Sequence, residues 1–155
     1  MENNIRKLIH EIKDDLKIFN LLDNNEMEQI IPYFEIINCQ ACTALFNEGE
    51  PGDFVGFIAS GRLEIKKQTE FKGRQIILAV LSKGSLVGEL SMIDYQPRSA
   101  TASAVEDSTL IILRREAFNS LTQKHPYIGI KILKGLNQIL ATRLRKAVDR
   151  LSVIF

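Results

Sequence analysis

Between residues 35 and 113 the sequence is a series of short apolar runs, broken by glycine or polar residues every few positions. Runs of this kind, rich in β-branched and aromatic residues, are typical of strands, and glycine suits the turns between them. Five strands are predicted, over residues 54–60, 62–67, 75–81, 99–105 and 108–113. Several short strands joined by glycine turns favour a small sandwich or barrel.

Helical spacing is found on both sides of this region. Near the N-terminus, apolar residues recur every three or four positions among charged ones: Ile5, Leu8, Ile9, Ile12, Leu16 and Phe19. A second short helix is predicted over residues 25–34, where Pro32 leaves the end open. After the strands, a short helix is predicted near residues 115–123, followed by a long one from Pro126 almost to Phe155, because proline suits a first helical turn.

The composition is that of an ordinary globular chain. It has 155 residues, of which 45% are hydrophobic and 25% charged, enough for one core. A net charge of +1 gives no excess of positive charge that would favour nucleic acid or an anionic membrane as a partner. Residues 1–14 carry many charges, so neither a signal peptide nor a membrane span is recognised, and the prediction is a cytoplasmic protein.

Cys39 and Cys42 form a C-x-x-C motif, which raises the possibility of a metal site or a redox pair. A zinc or iron–sulfur site needs further ligands, and His10 and His125 lie far off in the sequence. If the motif lies in a strand, residues three apart point to opposite faces and the thiols do not meet. Two buried or half-buried thiols of no special function are predicted, with a reactive thiol as the alternative.

The segment 88–102, GELSMIDYQPRSATA, interrupts the strands with a predicted short helix and a proline turn. A helix N-terminus presents unpaired N–H groups to an anion, and glycine allows the anion to come close. Arg98 adds a planar set of donors that matches phosphate oxygens, whereas Glu89 can accept from a hydroxyl but not from a phosphate. The segment therefore predicts a ligand that carries both a phosphate and a sugar hydroxyl.

Together with three other motifs, this segment resembles the cyclic nucleotide-binding domain, the module shared by the bacterial catabolite activator protein, the regulatory subunits of cyclic AMP-dependent kinase and cyclic nucleotide-gated channels. The motifs are FNEGEPGD at 46–53, FIASG at 57–61, GSLVGEL at 84–90 and PRSAT at 97–101. The resemblance implies a mixed α+β fold, in which N-terminal helices and a long C-terminal helix flank an antiparallel, jelly-roll-like β-roll.

The same resemblance implies one domain over residues 1–155. Its parts would be N-terminal helices over 1–34, the β-roll over 35–113 and C-terminal helices over 114–155. Residues 88–102 would be the phosphate-binding cassette.

Roles for individual residues also follow from the resemblance. Glu89 would accept a hydrogen bond from the ribose 2′-OH, and Arg98 would pair with the exocyclic phosphate oxygens. The residues that would offer backbone N–H groups or a hydroxyl to phosphate and sugar are Gly88, Leu90, Ser91, Ser99 and Ala100. No catalytic residue, no metal and no cofactor is implied, only cyclic AMP or cyclic GMP as ligand.

The base is harder to predict. In the family, the residue after the cassette arginine influences base choice, alanine being common for cyclic AMP and threonine for cyclic GMP; Ser99 is the intermediate case. The threonine and serine that reach the adenine in the catabolite activator protein have no evident counterpart, since alternative alignments place them at Arg143 and Leu144 or at Ala147 and Val148. Cyclic AMP is favoured, with Arg143 as a possible lid residue over the base.

Transcription factors of the family append a winged helix-turn-helix, whereas this sequence ends at Phe155, so direct DNA binding is not expected. The predicted function is a non-catalytic sensor that relays occupancy through the helices from Arg115 onward, because a ligand shifts only states that it contacts differently. The predicted partners are a second copy, bound through the apolar stripe of the final helix, or a separate effector protein. No membrane association is predicted.

Two alternatives come from other classes of protein. A metal enzyme of the cupin type shares a small β-roll but needs histidines and a carboxylate on barrel strands, and neither His10 nor His125 lies in the strand region. The other alternative keeps the fold as a ligand-free dimerisation or docking module. Glu89 and Arg98 argue against such a module, because buried unpaired charges are costly.

Overall fold

The computed structural model describes residues 2–71 and 73–152. The helices are α1 (Glu2–Ile12), α2 (Asn24–Ile30), α3 (Glu89–Asp94), α4 (Arg115–Lys124) and α5 (Pro126–Ser152), with single 3₁₀ turns at Lys17–Phe19 and Ile31–Tyr33. The strands are β1 (Phe34–Cys39), β2 (Ala44–Phe46), β3 (Phe54–Ser60), β4 (Arg62–Gln68), β5 (Gln75–Ser82), β6 (Leu86–Val87), β7 (Thr101–Ala104) and β8 (Ser108–Arg114).

The strands form two antiparallel sheets, in the orders β1-β8-β3-β6 and β2-β7-β4-β5. Strand β3 is buried on both faces because the sheet to which it belongs, the first, lies between the helices and the second sheet. Phe57 packs in the cluster shared with the helices, whereas Ile58 packs with Leu63 and Ala102 of the second sheet. The chain therefore has the mixed α+β architecture that the sequence predicts, an antiparallel β-roll flanked by helices.

Helices from both ends of the chain cover the outer face of the first sheet. Ile5 and Ile9 of α1 are buried in the same cluster as Ile128 and Ile132 of α5. Further along α5, contact with the rest of the domain decreases, and Leu144, Val148 and Leu151 are all more than half exposed. The N-terminal half of the helix thus has one buried face, whereas its C-terminal half is largely exposed.

The first two helices are shorter than the sequence pattern predicts. Helix α1 ends at Ile12, and the following Asp14 and Asp15 are acidic residues that a helix C-terminus disfavours. Leu16 and Phe19 are buried as their spacing indicates, but Leu16 lies in the connection after α1 and Phe19 in the 3₁₀ turn that follows it. Helix α2 ends at Ile30, and the chain continues as the 3₁₀ turn Ile31–Tyr33, because Pro32 has no N–H with which to extend the α-helical hydrogen bonds.

Among the strands, the predicted run 99–105 is restricted to Thr101–Ala104, since residues 99 and 100 form a bend at the end of the cassette. Strands β1, β2 and β6 are found in addition to the five predicted. Strand β2 has 3 residues and β6 has 2, too few for an alternating pattern to be recognised.

The two cysteines do not form a pair. Cys39 is the last residue of β1 and is buried, while Cys42 lies in the following turn with a φ of +61° and is exposed. Both thiols are free, as predicted. The prediction that both would be at least half-buried is wrong for Cys42, because the motif straddles a strand end and a turn.

None of the helices among the described residues combines the length and the apolar character that a membrane span requires.

Candidate functional site

A cavity of about 420 Å³ lies between β4, β5, the segment 88–100 and α5. The residues that the sequence assigns to ligand binding all line it: Gly88, Glu89, Leu90, Ser91, Arg98, Ser99 and Ala100. Arg143 reaches the same cavity from α5. The rest of its wall is mainly apolar and includes Ile65, Leu78, Leu81 and Leu86.

The backbone at the start of the cassette requires glycine. Gly88 has a φ of +79° and precedes the first residue of α3. A Cβ atom at this position would collide with Nη1 of Arg98. The left-handed backbone and the close approach both exclude a side chain here, so the turn brings the N-terminus of α3 to the cavity beside the arginine.

Arg98 is the best-enclosed charge in the site, with an exposed fraction of 3%. Its Nη1 donates to the carbonyl of Gly88 at 2.9 Å and its Nη2 to that of Phe54 at 2.9 Å. The rings of Phe46 and Phe54 lie 4.1 and 4.5 Å from Cζ, in cation–π geometry. Nε is buried without a partner among the described residues, and each Nη keeps an unused N–H.

The surroundings of Arg98 favour an anion. Burial lowers the pKa of the guanidinium, the carboxylate of Asp53 opposes that shift, and the charge of Arg115 adds to it. An arginine stays protonated in any case, so the buried charge is retained at the expense of its hydration. A negatively charged group in the cavity would compensate this loss.

The motif FNEGEPGD forms the support behind this arginine. The N–H of Gly49 donates to the carbonyl of Arg98 at 2.9 Å, and the N–H of Arg98 donates to the carbonyl of Glu50 at 2.8 Å. Glu50 in turn accepts from the backbone and side chain of Asn47. At Gly52 a Cβ atom would collide with the side chain of Ser91, so this glycine allows the loop to pack directly against α3.

Glu89 is also buried, with an exposed fraction of 6%, and it is paired within the protein. Nη1 of Arg143 donates to its Oε1, and Nη2 of Arg143 donates to the carbonyl of Leu86 at 2.6 Å. An ion pair therefore joins the final helix to the first residue of α3 inside the cavity. The sequence analysis names Arg143 only as a candidate lid residue and does not predict its contact with Glu89. The two residues are 54 positions apart, so no local sequence pattern indicates that they meet.

Two further residues of the site have no role in the sequence analysis. On β4, Lys67 lines the cavity and donates to Oε1 of Glu48 at 2.5 Å and to the carbonyl of Ser99 at 2.7 Å. At the start of α4, Nη2 of Arg115 donates to the carbonyl of Ser91 at 2.7 Å and also to that of Gly52. Sequence spacing could not predict either residue as part of the site, because its contact with the cassette depends on which face of its strand or helix packs there.

Comparison with known proteins agrees with this geometry. The sequence model described as the cyclic nucleotide-binding domain matches residues 36–125, which run from within β1 to just past α4 and include the whole cassette. The chain belongs to the cyclic nucleotide-binding domain family.

The cyclic AMP receptor protein of Thermus thermophilus is one of the relatives of this domain. It is 33% identical over 130 residues, which are 84% of this chain and 58% of the relative. The chain thus spans little more than half the length of that relative.

Solved structures give the same result for the cyclic nucleotide-binding fold. A cyclic nucleotide-binding domain from Methylobacillus flagellatus superimposes with a TM-score of 0.86 at 28% identity, covering 99% of this chain and 85% of the other. The regulatory domain of Toxoplasma gondii PKA with cAMP gives a TM-score of 0.66 at 28% identity, covering 77% of this chain and 45% of the other. The family and its fold are therefore shown by both sequence and structure.

Groups of three or more histidine, cysteine, aspartate or glutamate side chains that could hold a metal ion do not occur in the described ranges 2–71 and 73–152.

Proposed function

We propose that this chain is a non-catalytic domain that binds a cyclic mononucleotide in the cassette cavity and relays occupancy through its C-terminal helices. The observation that carries the proposal is the placing of a buried arginine and a buried carboxylate, Arg98 and Glu89, on one cavity of about 420 Å³. One ligand that carries an anionic phosphate and a donating hydroxyl satisfies both groups. Family membership supports the same ligand class.

The phosphate end of the ligand lies at Arg98 in this proposal. Its unused N–H groups and those of the neighbouring backbone would donate to the exocyclic oxygens. Neither Ser99 nor Ala100 uses its backbone N–H in a turn, loop or side-chain hydrogen bond within residues 2–71 and 73–152. Both residues line the cavity, which makes these N–H groups suitable donors for a phosphate.

The base would lie against the apolar wall, and we favour adenine over guanine. Ile65, Leu78 and Leu81 offer contact area without polar groups, which suits the face of a purine. The Thermus relative is named a cyclic AMP receptor protein, and the Toxoplasma domain was solved with cAMP. Ser99 offers a hydroxyl that serves phosphate or base, so the preference rests mainly on these relatives.

Relay through α5 follows from the ion pair between Glu89 and Arg143. A ribose 2′-OH that donates to Glu89 competes with Arg143 for the same carboxylate oxygens. Binding of the ligand therefore changes the contact that holds α5 to the cassette. The ligand then has different affinities for the states with and without this contact, as a conformational response requires. In the occupied state we place Arg143 over the ligand as the lid.

The exposed half of α5 is the proposed output surface. Leu144, Val148 and Leu151 recur at helical spacing and are 66%, 56% and 56% exposed. A second copy of the same helix would bury this stripe in a homodimer, as the sequence predicts. A separate effector protein is the other partner that we retain.

One observation favours the ligand-free module as a second candidate. Glu89 is already paired with Arg143, and Arg98 already donates to two carbonyls, so neither charge is left wholly without partners. The cost of unpaired buried charge, which argues against a structural module, is therefore reduced. Sedimentation with and without nucleotide separates the candidates, because a module of this kind keeps one oligomeric state whichever nucleotide is added.

The direct test is calorimetry with cyclic AMP and cyclic GMP on the wild type, Arg98→Ala and Arg98→Lys. Removal of one partner of a buried charged contact costs roughly 2 to 5 kcal/mol, so Arg98→Ala should bind at least about thirtyfold more weakly. Arg98→Lys keeps the charge but loses the planar set of donors, and should be intermediate. Arg62→Ala, which removes an exposed arginine paired with Glu106, is the matched control.

A further inference from the structure

Lys67 occupies an unusual place for a lysine, on the wall of the cavity next to the cassette. Its ammonium group donates to Oε1 of Glu48 at 2.5 Å and to the carbonyl of Ser99 at 2.7 Å. The neighbouring Lys66 belongs to the other face of β4, as strand alternation requires, and pairs with Glu64 at 3.0 Å. Lys67 therefore contacts the cassette, whereas Lys66 does not.

Glu48 is held firmly enough to act as an anchor for Lys67. Its Oε2 accepts the N–H of Gln68 at 3.0 Å, and its own N–H donates to Oγ1 of Thr101 at 2.9 Å. Through its carboxylate and its backbone N–H together, Glu48 thus joins the turn before β3 to the end of β4 and the start of β7. The hydrogen bonds from Lys67 and Gln68 keep the pKa of Glu48 below its ordinary value.

The contact with the Ser99 carbonyl determines the direction of the next peptide group. No cis peptide bond occurs in the described chain, so the peptide between Ser99 and Ala100 is trans. In a trans peptide the C=O and the N–H point in opposite directions. While Lys67 holds the carbonyl of Ser99 on its own side, the N–H of Ala100 is directed the other way.

We infer that Lys67 is a positioning residue for the phosphate end of the site, acting through the Ser99 carbonyl to aim the Ala100 N–H at one exocyclic oxygen of the ligand. The inference rests on the proposed function and adds to it a residue outside the cassette. It also accounts for the ion pair between Lys67 and Glu48, which the support of Arg98 does not require. Lys67 itself need not touch the ligand.

The first measurement is the affinity of Lys67→Met for cyclic AMP, with Lys66→Met as the control of equal charge change. Loss of a well-directed donor to a charged oxygen should weaken binding by about tenfold or more in Lys67→Met. Lys66→Met should bind like the wild type. Thermal unfolding of both variants checks that each is folded at the temperature of the titration.

The second measurement uses the two diastereomers of the cyclic AMP phosphorothioate, each of which replaces one exocyclic oxygen with sulfur, a weak acceptor. The wild type should distinguish them, because only one diastereomer keeps oxygen opposite the Ala100 N–H. In Lys67→Met the ratio of the two dissociation constants should move towards one. A merely structural loss of stability would weaken both diastereomers equally, and Lys67→Arg, which keeps a donor for Ser99, should restore the ratio.

The outcomes separate this inference from the proposed function. If Arg98→Ala loses binding while Lys67→Met matches Lys66→Met in affinity and ratio, the role of Lys67 is overturned and the function stands. If Arg98→Ala binds like the wild type, the cassette assignment is overturned instead. A wild type that binds no cyclic mononucleotide overturns both.

Discussion

Arg143 of the final helix donates to the buried carboxylate of Glu89 at the first residue of α3, and both residues line the same cavity. The pair joins the part of the domain that carries the cavity to the part of α5 that extends away from it. Since Nη2 of Arg143 also donates to the carbonyl of Leu86, the guanidinium is held by two groups at the entrance to the cassette. The position of α5 and the chemistry of the cavity are therefore linked by one side chain.

Replacement of Arg143 by glutamine should uncouple α5 from the cassette and, by removing the proposed lid side chain, weaken nucleotide binding only modestly. Arg98 and the cassette backbone are unchanged, so we expect affinity to stay within about tenfold of the wild type. In the wild type, amide hydrogen exchange in the second half of α5 should change when nucleotide is added. In Arg143→Gln that change should be absent, and its persistence would show that the relay does not depend on this pair.

A double-mutant cycle can measure the pair itself. Glu89→Gln, Arg143→Gln and the double variant, unfolded with denaturant in the absence of ligand, should give a coupling free energy of roughly 1 kcal/mol. Arg143 is 37% exposed, so solvent reduces the value below that of a fully buried pair. Additive effects of the two single changes would contradict a direct interaction in the free protein.

Arg115 should stabilise the junction between α3 and α4. It donates to the carbonyls of Ser91 and Gly52, and its guanidinium lies 4.5 Å from the ring of Tyr95. Arg115→Ala leaves these carbonyls without that donor, so the free energy of unfolding should fall by about 1 to 3 kcal/mol. The half-buried neighbour Arg114 forms ion pairs with Glu35 and Asp53 at the surface, and Arg114→Ala should cost less than about 1 kcal/mol.

The close packing at Gly52 gives another test. Its φ lies outside the left-handed region, so Gly52→Ala adds no backbone strain, only a methyl group that collides with Ser91. We expect a loss of about 1 to 3 kcal/mol in unfolding free energy, together with weaker nucleotide binding because α3 must shift. Gly73→Ala is the control: it adds left-handed strain of about 1 kcal/mol at an open position and should not change binding.

The ion pair between Glu26 and Lys131 should make stability depend on pH in the acid range. The hydrogen bond from Lys131 at 2.6 Å lowers the pKa of Glu26 below its ordinary value of 4.5, and the N–H of Asp23 adds to the shift. A carboxyl group whose pKa is lowered in the folded state stabilises the protein at pH values above its ordinary pKa. That stabilisation is lost as the pH falls through the lowered pKa. Lys131→Met should therefore flatten the fall in stability below about pH 4.5, which denaturant unfolding at several pH values measures.

Much of the site could be predicted because the cassette is contiguous. Glycine, glutamate, proline and arginine within residues 88–102 specify a turn, a helix start and an arginine whose donors suit a phosphate, all at short range. The seven candidate residues of this segment all line the cavity. The fold class was also predictable, since short runs with glycine turns are local signals of strands. The ends of the helices were less predictable, because Leu16 and Phe19 keep α-helical spacing but lie outside α1.

What the sequence by itself determined is therefore the β-roll and the cassette within it, both encoded by neighbouring residues. Only the tertiary structure decided which distant residues the charged side chains meet there: Arg143 contacts Glu89, Lys67 contacts Glu48 and the carbonyl of Ser99, and Arg115 contacts the carbonyl of Ser91. Each contact joins residues 19 or more positions apart, and each depends on which face of a helix or strand packs against the cassette. Which face packs there is determined by the burial of apolar residues throughout the core, and no local sequence pattern carries that information.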